Sequence, residues 1–534
     1  MKNILKYILI MIVAVGCNEN MDYPPLDNPY SNDSSAGDSE STVAIYNDPA
    51  GFPGVSQSSI YEVTLIQGSQ RIRIPVFQNA CPVYEAGYMD MTPTDTNPLG
   101  MFQGRSISWS NFSFAGSITI EVKVIDTEKV PMDAFNVRVL PTRYGIMPSI
   151  KNGNLVTFTM TKPGQCSVEI GTNGYKNGLM IFANPIETNV PDPAHDDSYA
   201  VLDHATASSI AAVPEDKSGL YFKAGVHDIG VYAVPANIKN IYLEGSAWVY
   251  GAIHVSGTRS NTDVKIFGRG TLSSGHLKYR EAYCIGTPQD GSTAANRITV
   301  EGITVADPKY FAIRLIGRNN LVSWTKVIGG WIYNCDGIAV FAGSTIKNCF
   351  CWANDDNIKV YRDNITVEDM VLWQLNNGGA IQMGWDGAQA TGVTIKRVDL
   401  LHAEWNNSAT NRGVLSFVGN RYANANSNCW QKNMTIEDLV TETPVRLIWR
   451  ISPEQPISGV ITPAFVDGLT MRNWTVLMNK ALGSNNYING VSDDYIMKNF
   501  LFDNVNLNGV KLTEENWITQ GNFEIKNLEL PTFK

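Results

Sequence analysis

Asp336, Asp355 and Asp356 are the residues of this 534-residue chain whose type and spacing fit a catalytic role. The segment Asn334-Cys335-Asp336-Gly337-Ile338-Ala339-Val340 recurs 20 residues later as Asn354-Asp355-Asp356-Asn357-Ile358-Lys359-Val360. If that interval makes one coil of a repetitive fold, Asp336 lies directly beneath Asp356. Three carboxyls in one patch cannot all ionise at their ordinary pKa, so at least one keeps its proton toward neutral pH. A protonated acid beside ionised carboxylates suits the hydrolysis of a glycosidic bond. One group protonates the leaving oxygen and the others activate water. A single Asp at a turn would more often cap backbone N–H groups, but a pair in register on adjacent coils argues for chemistry.

Asn354, Lys359, Gln382, Trp385 and His402 are the candidate substrate-binding residues around these acids. Gln382 and Trp385 sit in NNGGAIQMGW (376–385), and His402 follows in LLHAEW (400–405), about one coil later. Eight of the twelve tryptophans fall between Trp324 and Trp449. Trp352, Trp373, Trp385 and Trp405 neighbour polar residues, as indoles that stack on sugar rings would. About half of the set is assigned to core. Cys335, Cys349 and Cys351 form no metal set: C-x-C without a second pair or a nearby His reads as small buried hydrophobes. No metal and no cofactor are expected.

The elements that must position these residues are strands. Forty-five glycines and 17% charged residues describe a folded, mostly β chain, too long for one ordinary domain. Residues 42–200 read as an N-terminal β-sandwich of short alternating strands: 61–67, 70–78, 117–126, 135–141 and 155–171. Its expected role is a structural cap. Pro191, Pro193 and Pro214 mark a connector. Residues 201–534 form a loose repeat in which Ile313, Ile338, Ile358 and Ile381 align at intervals of 25, 20 and 23 residues. Irregular periods of this size predict an all-β chain ending in a parallel β-helix. Gly337 and Asn357 are the expected left-handed turn positions beside the acids. The long turns 276–296, 405–430 and 484–494 are expected to shape the cleft.

Ahead of both regions stands an apparent targeting segment. Lys2 and Lys6 precede eight apolar residues, Ile8 to Val15, far short of a membrane span, and Ala14-Val15-Gly16-Cys17 resembles a bacterial lipobox. Residues 1–17 are expected to be a lipoprotein signal peptide, with lipid attached at Cys17, and residues 18–41 a polar, Pro/Ser-rich tether. The expected location is the bacterial outer membrane or cell surface, with a monomer held to the membrane only by lipid. Net charge −10 and pI near 5.2 exclude a general nucleic-acid binder.

NCDG, then NDDNIKVY 20 residues on, then NNGGAIQMGW, resembles the family-49 glycoside hydrolases, which include dextranases and isopullulanase. The resemblance spans nearly all of the chain after the tether. It implies an N-terminal β-sandwich followed by a right-handed parallel β-helix, and an inverting reaction on a polysaccharide, most commonly the α-1,6 bonds of dextran. The matched positions imply Asp355 as general acid, with Asp336 and Asp356 orienting and activating water. An inverting pair calls for about 6.5–9.5 Å between acid and base carboxyls, expected here between Asp355 and Asp336. Isopullulanase-like cleavage of α-1,4 bonds in pullulan is one alternative. Polygalacturonases share NCDG and the Asp pair, but their usual G-H-G and R-I-K segments are absent. A non-catalytic glycan-binding surface lipoprotein is the third.

Overall fold

The computed structural model describes residues 42–46, 55–83, 101–132, 136–151, 153–257, 262–288, 293–409, 411–419, 428–454 and 461–534. The signal peptide, Cys17 and the tether lie outside the described residues.

The N-terminal region folds as two mostly antiparallel sheets, one of six strands and one of five. Alternation along Tyr61–Gln67 and Ile118–Val124 points Val63, Leu65, Ile120 and Val122 inward, where they meet Phe112, Val168 and Ile181 of the other sheet. Two expected strands are split. The run 70–78 breaks into Gln70–Ile74 and Phe77–Ala80, because Pro75 cannot donate to the ladder. The run 155–171 breaks into Leu155–Met160 and Gly164–Ile170, on either side of Pro163.

From Tyr199–Leu202 to Thr532–Phe533 the chain winds through one continuous 30-stranded sheet, nearly all parallel: a β-helix. Ile313 pairs with Ile338, Ile338 with Ile358, and Ile358 with Ile381. Each is buried in the inner core, so the unequal intervals belong to the turns and the strands stay in register. Asn and Asp supply left-handed turn residues along the coils, among them Asn319, Asn348, Asn364, Asn473 and Asn504.

The two regions meet across a second apolar core. Trp331, Trp352 and Trp373 come from successive coils and pack with Phe102, Trp109 and Phe182 of the N-terminal domain. Ring centroids are 4.4 Å apart between Trp331 and Trp352, and 5.8 Å between Trp352 and Trp373. Truncating any of these rings would cost about 3–5 kcal/mol. This corrects the expectation for Trp352 and Trp373. Their indoles seal the back of the helix against the cap and face no sugar. All seven described cysteines are buried, and no disulfide joins any two of them.

Candidate active site

The acids stand on the turn that precedes one strand of each coil. Gly337 N–H donates to Asp356 O at 2.9 Å and Asp355 N–H to Cys335 O at 3.1 Å, which stacks the two turns directly. Neither Gly337 nor Asn357 takes a positive φ; the left-handed residue here is Asn334, at 59°. The left-handed residue thus comes earlier than expected, two positions before Asp336, and the second coil has none at the matching Asn354. Gly337 is needed for a different reason: a Cβ there would strike Cys351 Sγ and Asn357 O.

All three acids are buried. Lys359 Nζ lies 2.6 Å from Asp336 Oδ2 and 3.0 Å from Asp356 Oδ2. Asp356 Oδ1 accepts the Gly379 N–H at 2.8 Å and faces Gln382 Nε2 at 3.5 Å. Among the described residues Asp355 has no such cation. Its Oδ1 accepts the Asp356 N–H at 2.9 Å and its Oδ2 accepts Asn377 Nδ2 at 2.5 Å. Burial and then the Asp356 charge push Asp355 up to about 7. Burial raises Asp336 as well, and the Asp355 and Asp356 charges add to that against the pull of Lys359. The contacts set the two apart: Asp336 lies 2.6 Å from an ammonium, which favours its ionised form, and Asp355 makes no such contact among the described residues. Burial opposes the charge on Lys359, but Asp336 and the neighbouring acids outweigh it and hold the group well above its ordinary value.

One oxygen from each acid lies within 4.8 Å of the other two. That is tighter than the expected gap of about 6.5–9.5 Å. The turns are a single strand spacing apart, and Lys359 draws Asp336 and Asp356 together. Three carboxylates this close form a donor set of the kind that holds a hard divalent cation. The Lys359 ammonium contacts two of them already, so the set fits a metal poorly.

The other expected binding residues divide. Lys359 and Gln382 share one outward row with Arg314, Ala339 and Ser416, set by the strand register. Half-buried Trp385 lies just beyond the strand Ile381–Gly384. The Asn354 side chain is engaged by backbone groups. It is fully buried, donates to Trp331 O at 2.5 Å, and accepts the N–H groups of Asn376 and Asn377. His402 is also corrected. Its Nε2 is 2.6 Å from Glu169 Oε1 of the N-terminal domain, its Nδ1 is 3.3 Å from Thr443 Oγ1, and its ring stacks on Tyr175. It sits behind the acids, in the seam between domains. Trp405 is core, with Nε1 donating to Gly378 O at 2.9 Å.

Sequence reasoning did not single out Asn377 or the Gly379 N–H as partners of the acids. The NNGGAIQMGW motif contains both, and the double glycine was the available signal: a Cβ on Gly378 would meet Asp355 Oδ1 at 2.8 Å and collide with the Asp356 N–H.

No protein-family model matches the sequence. The chain is 24% identical over 458 residues to a dextranase of Arthrobacter sp. (strain CB-8), covering 73% of this chain and 71% of that one. It is 24% identical over 487 residues to a dextranase of Talaromyces minioluteus, covering 79% and 77%. An isopullulanase of Aspergillus niger matches at 25% over 328 residues, covering 54% and 57%. The solved structure of Dex49A from Penicillium minioluteum superposes with a TM-score of 0.71 at 17% identity, over 92% of this chain and 96% of that one, which establishes the shared fold. The motif resemblance and the curated relatives agree: the chain is a glycoside hydrolase homologous to the family-49 dextranases and isopullulanase.

Proposed function

We propose that this protein is an endo-acting, inverting α-glucan hydrolase that cuts the α-1,6 bonds of dextran. The observation that carries the reading is the division among the acids. Lys359 contacts both Asp336 and Asp356, and among the described residues Asp355 alone of the three makes no ion pair, while burial and the Asp356 charge push it up to about 7. Asp355 delivers its proton to the glycosidic oxygen as the bond to the anomeric carbon breaks. A water held between Asp336 and Asp356 attacks that carbon and yields its proton to the pair. Preference for dextran rests on the dextranase relatives. The isopullulanase relative supports α-1,4 cleavage of pullulan as the second reading.

Incubation with dextran, pullulan, starch and polygalacturonate, followed by product chromatography, tests this. Short oligosaccharides from dextran are expected. Products from polygalacturonate alone would overturn the reading, and no products from any polymer would favour a glycan-binding role. The lipobox-like AVGC supports a protein secreted to the outer membrane or cell surface as a lipid-anchored monomer. Replacing Cys17 with Ala should then release activity from the membrane fraction; retention there would refute the anchor.

A further inference from the structure

Three side-chain ties between the N-terminal domain and the β-helix converge on one strand and its end. Thr394–Ala403 and the residue that follows it carry them. Arg143 Nε is 2.7 Å from Asp399 Oδ1, and His402 Nε2 is 2.6 Å from Glu169 Oε1. Arg105 grips Glu404 with both arms of its guanidinium, Nη1 to Oε2 at 2.6 Å and Nη2 to Oε1 at 3.1 Å. The Arg105 and Glu404 side chains are only 12% and 13% exposed, and Arg105 also lies over the Phe102 and Trp331 rings. A bidentate, largely desolvated pair of this kind fixes geometry as well as adding energy.

Glu404 does more than close the seam. Its Oε1 also accepts Trp373 Nε1 at 2.8 Å. The next two residues leave the seam and clamp the turn that grips the acids: Trp405 Nε1 donates to Gly378 O at 2.9 Å, and Asn406 N–H to Asn376 Oδ1 at 2.8 Å. That turn supplies the Asn377 amide to Asp355 and the Gly379 N–H to Asp356. A continuous path of short contacts thus runs from Arg105, in the N-terminal domain, to Asp355.

We propose that Arg105 is a positioning residue for the reaction: through Glu404 it sets the Trp405–Asn406 clamp and so the orientation of Asp355 and Asp356. The N-terminal domain is on this account a working part of the active site. The inference rests on the functional reading above only for its kinetic arm.

Arg105→Gln, Glu404→Gln and the double variant test it, with Arg73→Gln as a control, since the Arg73–Glu62 pair lies on the outer sheet. On the polymer that the wild type cleaves, each single change should lower kcat about tenfold or more, leave KM within about twofold, and shift the alkaline limb of the pH profile. The double variant should be no worse than either single, and Arg105→Lys should recover part of kcat. Hydrogen exchange of the amides in 376–380 should accelerate in both singles and not in the control. Unchanged exchange would overturn the proposal even if no polymer were cleaved, so it can fail separately from the reading of function. A fall in melting temperature with unaltered kcat, KM and pH profile would also overturn it.

Discussion

Lys359 reaches back one coil to place its ammonium 2.6 Å from Asp336 Oδ2 while it stays 3.0 Å from Asp356 Oδ2 on its own. The residue between Arg314 and Lys359 in the outward row is Ala339, small enough for the lysine to fold over it. One cation therefore lies against two neighbouring carboxylates at once, on successive coils.

Lys359→Met should lower kcat on the polymer about a hundredfold or more, because Asp336 and Asp356 would lose their shared countercharge and burial would raise Asp336 unopposed by it. The acidic limb of the kcat–pH profile should move to higher pH. If KM alone rises and kcat holds, Lys359 binds substrate and does not organise the acids.

The Asp355 carboxyl, pushed up to about 7, makes two pH statements. Activity should fall as pH rises through about 7, because the general acid loses its proton. Stability follows the same sign. A carboxyl raised on folding contributes stability that is complete below its unfolded pKa of about 4 and is lost as pH rises through about 7. Asp355→Asn should therefore raise the melting temperature at pH 8 and leave it unaltered near pH 4. Scanning calorimetry at the two values decides it; a loss of stability at pH 8 would mean the carboxylate is favourably held.

Much of this site is legible in the sequence. Ile313, Ile338, Ile358 and Ile381 mark the coil because an inward residue must be apolar in every turn, whatever the loop length. That alignment alone stacks Asp336 under Asp356. The parts that were not legible depend on the partner surface. His402 and Trp373 occupy polar contexts in sequence, like cleft residues, yet the two strands that bear them lie against the N-terminal domain, where Glu169 receives His402 and Glu404, held by Arg105, receives Trp373. Asn354 looked like a ligand group, but a buried turn must satisfy its own N–H groups, and its side chain does so.

Leaving-group chemistry should separate the acids. Asp355→Asn keeps the shape and removes the proton, so hydrolysis of the polymer should drop about a hundredfold or more. An aryl α-glycoside with a readily departing phenolate should be spared much of that loss. Asp336→Asn and Asp356→Asn should lose both activities alike. Equal sensitivity of all three variants to the leaving group would remove the assignment of Asp355.

Removal of divalent cations should leave activity intact, since Lys359 already contributes the positive charge that a metal would bring to Asp336 and Asp356. Dialysis against EDTA followed by polymer assay checks this. A large loss that one added cation restores would place a metal among the acids.

The last expectation concerns stereochemistry, where distance and homology pull apart. The acids' nearest oxygens lie within 4.8 Å, closer to the roughly 5–5.5 Å of retaining enzymes than to the inverting range. Retention, however, needs one carboxylate free to attack the anomeric carbon. Asp336 and Asp356 are each tied to Lys359, and Asp356 also accepts the Gly379 N–H. Tied oxygens are poorer nucleophiles but good acceptors for a water, and a water between the two can attack while Asp355 protonates the leaving oxygen. An α-glucan should therefore release the β-anomer first, seen by proton NMR before mutarotation. Early α-anomer would show that a carboxylate attacks directly, and a glycosyl ester on Asp336 or Asp356 should then be trapped by a slow fluorinated substrate.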